Sequence, residues 1–256
     1  MIPKIIHYCW FGRNPLPADA RKCIASWKKY LPDYEIKEWN EDNFDVNALP
    51  YTRDAYTAKK YAFVSDYVRF KVLYEEGGIY FDTDVEVIRP MDDIIEKGAF
   101  MGWETANNQG IQKVAPGLCL GAPKGHPLYQ EILTVYKDIS FYKEDGSYNP
   151  YSMIPLVTDL LLKHGMSNDG STQCVADTTI YATDYFCPMD TLTGKVTKTP
   201  NTRSIHWYSM SWLDKKRQRR AKLIRPLRRI FGTQFINKIS KSLTSHIAFI
   251  RKHSSR

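Results

Sequence analysis

A chain of 256 residues that is 43% hydrophobic and 25% charged carries enough apolar material for a sizeable core, and one main domain is the expectation. The five cysteines (Cys9, Cys23, Cys119, Cys174 and Cys187) are odd in number, scattered and free of any Cys-x-x-Cys spacing, which excludes a disulfide framework or a thiolate zinc site. The net charge of +8 is unevenly spread: from Leu213 onward there are 14 Lys or Arg and one acid, Asp214, leaving 22 basic and 27 acidic residues before it.

Met1-Ile2-Pro3-Lys4-Ile5-Ile6-His7 lacks the basic region and long apolar run of a secretory signal and reads as the start of a strand. Nothing approaches the roughly 18 consecutive apolar residues of a membrane span, so a cytoplasmic protein is expected. Lys4 to Cys9 is a short apolar strand ending at Trp10-Phe11-Gly12. Helical spacing follows over Pro17 to Tyr30 through Ala20, Ile24 and Trp27. Tyr34 to Trp39 alternates apolar and charged groups, as a strand with one exposed face does, so the chain opens as a βαβ-like unit. One helix is expected from about Ala55 to Glu76, stopped by Gly77-Gly78. Ile79 to Phe81 is a strand entering Asp82-Thr83-Asp84, and Val85 to Ile88 continues as strand. Further strands are expected at Ala99 to Trp103 and Gly117 to Ala122, with helices at Leu128 to Tyr142 and Ser152 to His164. The fold class is α/β. The body closes at Ile205 to Trp212, and the composition then turns basic, which places a boundary between residues 1–212 and 213–256.

The chemistry-bearing residues gather around the strand that follows the two glycines. Asp82 and Asp84, two positions apart at a strand end, can both serve one metal site, and oxygen donors of this kind select Mg²⁺ or Mn²⁺. An Asp-x-Asp pair is a common turn feature; what distinguishes this one is its place at a strand end, where open α/β sheets bind ligands. On the preceding helix Ala62, Asp66, Arg69 and Leu73 share one stripe. Asp66 and Arg69 are either an exposed ion pair or, since apolar residues bracket them, inward-facing groups that hold a donor substrate. Trp10 is either a core side chain or a flat surface on which a nucleobase stacks. His206 and Ser209 offer an imidazole and a hydroxyl to a metal or diphosphate, the alternative for His206 being a satisfied histidine in an aromatic core. His7 and His126 receive no role.

Taken together, the segment Ile2 to His7 with Trp10 and Gly12, Ser65-Asp66-Tyr67-Val68-Arg69, and Gly77 to Asp84 resemble the DXD-containing sugar-binding-region glycosyltransferases. This is glycosyltransferase family 32, related to yeast-type initiating mannosyltransferases and to capsular polysaccharide transferases, and more distantly to glucosylating toxins. The resemblance is dense over residues 1–90 and thinner beyond, through Gly121 to Pro127 and His206 to Trp212. It implies a GT-A type, single nucleotide-binding domain with a mostly parallel sheet, and a retaining transfer of a hexose from a UDP- or GDP-sugar to a glycan or lipid-linked acceptor in surface polysaccharide synthesis. It further implies that Trp10 stacks on the base, that Asp66 and Arg69 hold ribose and sugar, and that Tyr80 lies beside the donor. Asp82 and Asp84 serve metal and diphosphate, with His206 as third metal ligand and Ser209 beside it. Glu104 to Val114, with Asn107, Asn108 and Gln109, is expected to face the acceptor.

The basic tail interleaves Leu213, Leu223, Ile224, Leu227, Ile230 and Phe231 with Arg and Lys, and Pro226 is expected to interrupt any long helix there. Such a stretch suits an anionic membrane surface or a terminal helix docked on its own domain. Two rival functions remain open to the sequence: a non-catalytic nucleotide-sugar or carbohydrate-binding module, and a nucleic-acid binder acting through the tail. The acidic body and the lack of a recognition helix speak against the second.

Overall fold

Ile5–Cys9 (β1) is buried along almost its whole length, as a central strand must be, and Glu35–Trp39 (β2), mostly half-exposed, lies beside it at the edge. Between them Ala18–Tyr30 (α1) buries Ala20, Cys23 and Trp27 on one face. The pairing is parallel, from Ile5 opposite Glu35 to Cys9 opposite Trp39, so the expected βαβ opening is present. The structure is a computed structural model and describes residues 1–105, 111–149, 153–209, 215–236 and 238.

The helix expected over 55–76 is two helices, Pro50–Thr57 (α2) and Tyr61–Glu76 (α3). The break is at Lys59, whose φ of +57° no α-helix accommodates. Gly78–Tyr80 (β3) follows α3 directly, and Val85–Val87 (β4) leaves the main sheet instead of prolonging it. The chain then runs through Asp92–Ile95 (α4), Ala99–Gly102 (β5), Leu120–Ala122 (β6), Pro127–Tyr136 (α5) and Met153–Lys163 (α6). Next come Gln173–Val175 (β7), Thr178–Tyr181 (β8), Thr183–Phe186 (α7), Ser204–His206 (β9) and Lys215–Phe231 (α8).

Seven strands form the main sheet in the order β2-β1-β3-β6-β5-β8-β7. Five of them share one direction and β6 and β7 run against it, so the sheet is mixed and mostly parallel, within an α/β fold. Alternate side chains feed two cores. Cys9, Tyr80, Met101 and Leu120 join α2, α3, α5 and α6 on one face, while Tyr8, Phe81, Phe100 and Cys119 join α1, α4 and α7 on the other. A second sheet pairs β4 with β9 antiparallel, Val85 opposite His206 and Val87 opposite Ser204.

Two compact units result, residues 1–188 with 197–208, and residues 189–196 with 209–256. The first holds the sheets and the second holds α8. That helix passes through Pro226, contrary to the expected interruption, and closes at Gly232 with φ +82°. Pro226 is exposed, so the backbone carbonyl it leaves without a donor can be met by water. Among the described residues no helix is long and apolar enough to cross a membrane.

Candidate active site

The site begins at the turn between α3 and β3. Gly77 and Gly78 have φ of +71° and +114°, and neither has room for a side chain. A Cβ on Gly77 would lie 2.7 Å from the Lys124 backbone nitrogen, and one on Gly78 2.6 Å from the Ile5 carbonyl oxygen. The turn is therefore close-packed, and only glycine satisfies both the dihedral and the space. His7, fully buried on β1, fastens it: Trp39 Nε1 donates to His7 Nδ1 at 3.0 Å, which leaves Nε2–H to donate to the Gly77 carbonyl at 2.9 Å. Accepting from Trp39 at Nδ1 requires the neutral ring, and burial lowers its pKa, so charge and geometry agree. Sequence reasoning gives His7 no role, because its partners lie on separate segments that no local pattern announces.

About two to three turns of helix before the glycines, the Asp66 and Arg69 pair faces inward, with side chains 14% and 3% exposed, so the exposed-pair alternative is excluded. Arg69 Nη2 lies 3.0 Å from Asp66 Oδ1 and 3.2 Å from Asp82 Oδ1, and Arg69 Nε donates to the Ser65 carbonyl at 3.1 Å. The guanidinium lies over the Tyr80 ring at 4.8 Å, and the Tyr80 hydroxyl donates to Asp82 Oδ1 at 3.1 Å. Burial pushes the Asp66 carboxyl up to about 6, Arg69 pulling it back and Asp82 adding to the rise. Burial also raises Asp82, against the pull of Arg69. One buried cation is thus shared by two part-buried acids, 14% and 29% exposed.

Beside this cluster, Asp84 meets β9. Asp84 Oδ1 lies 3.1 Å from His206 Nε2, and Trp207 N–H donates to the Asp84 carbonyl at 2.9 Å. Ligand atoms of Asp82, Asp84 and His206 all lie within 4.8 Å of one another. Two carboxylates and an imidazole suit a hard or borderline divalent ion such as Mn²⁺ or Mg²⁺. A second observation supports the fit: among the described residues His206 Nδ1 is buried with no hydrogen-bond partner. Against the cost of burial, Asp84 first and then Asp82 and Glu104 raise the His206 pKa, which shows how much negative charge converges here. The Tyr208 ring stands edge-on to His206 at 4.1 Å, in a left-handed backbone conformation with φ +47°, and its hydroxyl lies 3.0 Å from Cys187 Sγ.

Trp10, half-buried at the end of β1, leaves the sheet at the same edge as Asp82, because β1 and β3 are parallel with His7 opposite Tyr80. Its Nε1 donates to the Asn14 carbonyl at 2.6 Å, which fixes the indole in the loop. Tyr80 is 1% exposed, so it supports Asp82 and Arg69 from the core side. Ser209 is the first residue of the second unit's longer segment and is half-buried. Asn107, Asn108 and Gln109 lie outside the described residues.

Two further residues belong to the site. Gly117, expected within a strand, lies in the turn before β6, and a Cβ there would collide with Asp82 Oδ2 and sit 3.2 Å from Arg69 Nη1. Its neighbour Pro116 is the available turn signal. Glu104, at the end of β5, is half-buried; burial raises its carboxyl, with His206 and Lys113 opposing the shift.

Residues 17–101 match the family model described as a glycosyltransferase sugar-binding region containing DXD motif. The match takes in Asp66, Arg69, Tyr80, Asp82 and Asp84, and leaves out Trp10, His206 and Ser209. Inositol phosphoceramide mannosyltransferase 3 of Schizosaccharomyces pombe is 30% identical over 139 residues, 52% of this chain and 36% of that protein. A mannosyl phosphorylinositol ceramide synthase of Saccharomyces cerevisiae is 28% identical over 162 residues, 60% of this chain and 39% of its own length. The chain therefore spans well under half of either yeast relative. Among solved structures, PaToxG glycosyltransferase is similar at TM-score 0.49 and 20% identity, over 63% of this chain and 69% of that one.

Proposed function

We propose, from the match of residues 17–101 to the model of a DXD-containing glycosyltransferase sugar-binding region, that this protein is a metal-dependent, retaining hexosyltransferase using a nucleoside-diphosphate sugar. The observation that carries the reading is the meeting of Asp82, Asp84 and His206 within 4.8 Å, directly beside the buried Asp66–Arg69 pair. Asp82, Asp84 and His206 would hold Mn²⁺ or Mg²⁺, which supplies charge stabilisation to a departing diphosphate. Trp10 offers the base its ring face. Arg69 keeps Asp66 and Asp82 oriented and contributes positive potential toward the donor, while Asp66 is placed to accept from ribose or sugar hydroxyls.

The yeast relatives are mannosyltransferases, which puts mannose first among the sugars to test and a lipid-linked or glycan hydroxyl first among acceptors. A cytoplasmic enzyme acting at the inner face of a membrane, in cell-surface polysaccharide synthesis, is the setting that fits such an acceptor. For the chemistry we favour front-face attack within an ion pair. The bond from the anomeric carbon to the leaving oxygen breaks with its electron pair going to the diphosphate. The acceptor hydroxyl then bonds on the same face, and its proton goes to the leaving diphosphate. A covalent glycosyl adduct trapped on a side chain would overturn this route.

The test is release of free nucleoside diphosphate from a panel of UDP- and GDP-sugars, with and without Mn²⁺ or Mg²⁺. Metal-supported release is expected from one donor class and none from Asp84→Ala. Full activity in Asp84→Ala would sink the proposal, and binding without release would favour a non-catalytic module.

A further inference from the structure

α8 wears its apolar face outward. A helix that covers its own domain points its apolar stripe inward and its charges to water. Here Leu223, Leu227 and Ile230, spaced i, i+4 and i+7 on one stripe, are 69%, 43% and 71% exposed. Phe231, one turn beyond Leu227, is 56% exposed. The side of the helix that meets protein carries a charge instead. Arg225, about 200° around the axis from Leu223 at roughly 100° per residue, donates from Nε to the Thr191 carbonyl at 3.3 Å. Its Cδ lies 3.4 Å from where a Cβ on Gly194 would sit. Within the second unit, the helix is fastened by its polar side and presents its apolar side.

Charge selects the occupant of that face. Residues 215–238 contain ten Lys or Arg and no Asp or Glu. Arg219, one turn before Leu223 on the same side of the helix, is exposed. A second copy of α8 would bring two such segments together at a heavy cost in like-charge repulsion. A nucleic acid would satisfy the charges but gives the apolar stripe nothing to enter. A bilayer with anionic headgroups satisfies both at once, phosphate for the cations and acyl chains for the leucine and isoleucine side chains.

We propose that α8 docks this protein onto an anionic lipid surface, with Leu223, Leu227, Ile230 and Phe231 entering the headgroup–acyl boundary and Arg219, on the same side, meeting lipid phosphates. The docking does not depend on the catalytic reading. Donor hydrolysis reports on Asp82 and Asp84 whereas flotation reports on α8, so either can fail alone.

The experiment is flotation of the full chain with vesicles of phosphatidylcholine alone and of phosphatidylcholine mixed with phosphatidylglycerol. Wild-type protein is expected to float with the anionic vesicles only, less as salt is raised. The double variant Leu227→Glu with Ile230→Glu, both at exposed positions, is expected to bind at least about tenfold more weakly. Its thermal unfolding and donor hydrolysis stay those of wild type, which separates lost docking from lost folding. Equal flotation of variant and wild type, equal flotation on neutral vesicles, or none at all would overturn the proposal. So would duplex DNA binding, or a dimer abolished by the double variant, found in place of flotation.

Discussion

The two halves of the acidic site are built differently. Asp66, Arg69, Tyr80 and Asp82 come from one continuous helix, turn and strand, and both acids pair with one permanent cation. Asp84 is instead joined to His206 by the pairing of β4 with β9, strands far apart in sequence, and its partner carries an optional charge. The first half is thus an internal ion cluster that the fold depends on. The second, on the proposed function, would be exchangeable, a divalent cation taking the place of the contact between Asp84 and His206.

Removing Arg69 is the hardest blow to this contrast. Arg69→Leu leaves two part-buried carboxylates without their cation; an uncompensated buried charge costs about 3–5 kcal/mol, and the partial exposure of Asp82 puts the expected loss at the lower end of that range. Urea unfolding should show that loss, and adding Asp66→Asn should recover part of it. An Arg69→Leu protein as stable as wild type would mean that the first half is not what holds this region together.

His206→Ala attacks the other half and should separate the two properties. Stability falls by only about 1 kcal/mol, while metal-supported donor hydrolysis drops about 10–100-fold, as loss of a group that holds or orients a metal does. Raising the Mn²⁺ concentration should recover part of the rate in His206→Ala and none in Arg69→Leu.

Legibility follows the same division. The inward stripe of Asp66 and Arg69 and the glycine stop are open to sequence reasoning because helical period and turn chemistry are local, and the family model covers the same stretch. Sequence adjacency does not show that β4 leaves the sheet to pair with β9, because Val85 to Ile88 carries the same apolar pattern in either sheet. His206 is suggested by its residue type and by the thinner part of the family resemblance, and its neighbour across the strands is a matter of register. Gly117 reads as a strand residue from its apolar followers; the collision that reserves the position for glycine involves Asp82 and Arg69, which no local pattern places beside it. Similarly, the break at Lys59 has no glycine or proline to mark it.

Gly117→Ala is accordingly the next test in size. The added methyl must displace the Asp82 carboxylate, the one group common to both halves, at a cost of about 1–3 kcal/mol. A rise in donor KM with little change in unfolding would place that cost in the site. The reverse would place it in the Arg69 cluster.

The smallest expected effect lies beneath the glycine turn and is read through pH. Burial lowers the His7 pKa below 6.5, so between that folded value and 6.5 the folded state binds fewer protons than the unfolded chain. The stabilisation is fully present above 6.5 and is lost as pH falls through the folded value, because protonating Nδ1 removes the acceptor for Trp39. Asp66 acts in the opposite sense. Its carboxyl, raised from 3.8 to about 6, makes the folded state lose stability as pH rises across that interval. The two slopes partly cancel in wild-type protein and are separated by difference. Measured without metal by urea unfolding, the wild-type minus His7→Gln difference should shrink as pH falls below 6.5, at a slope of at most about 1.4 kcal/mol per pH unit. The wild-type minus Asp66→Asn difference should move the other way, growing as pH falls from about 6. A His7→Gln difference that stays flat with pH would mean that folding does not shift the imidazole's pKa, and that the Trp39–His7–Gly77 chain does not fasten the turn.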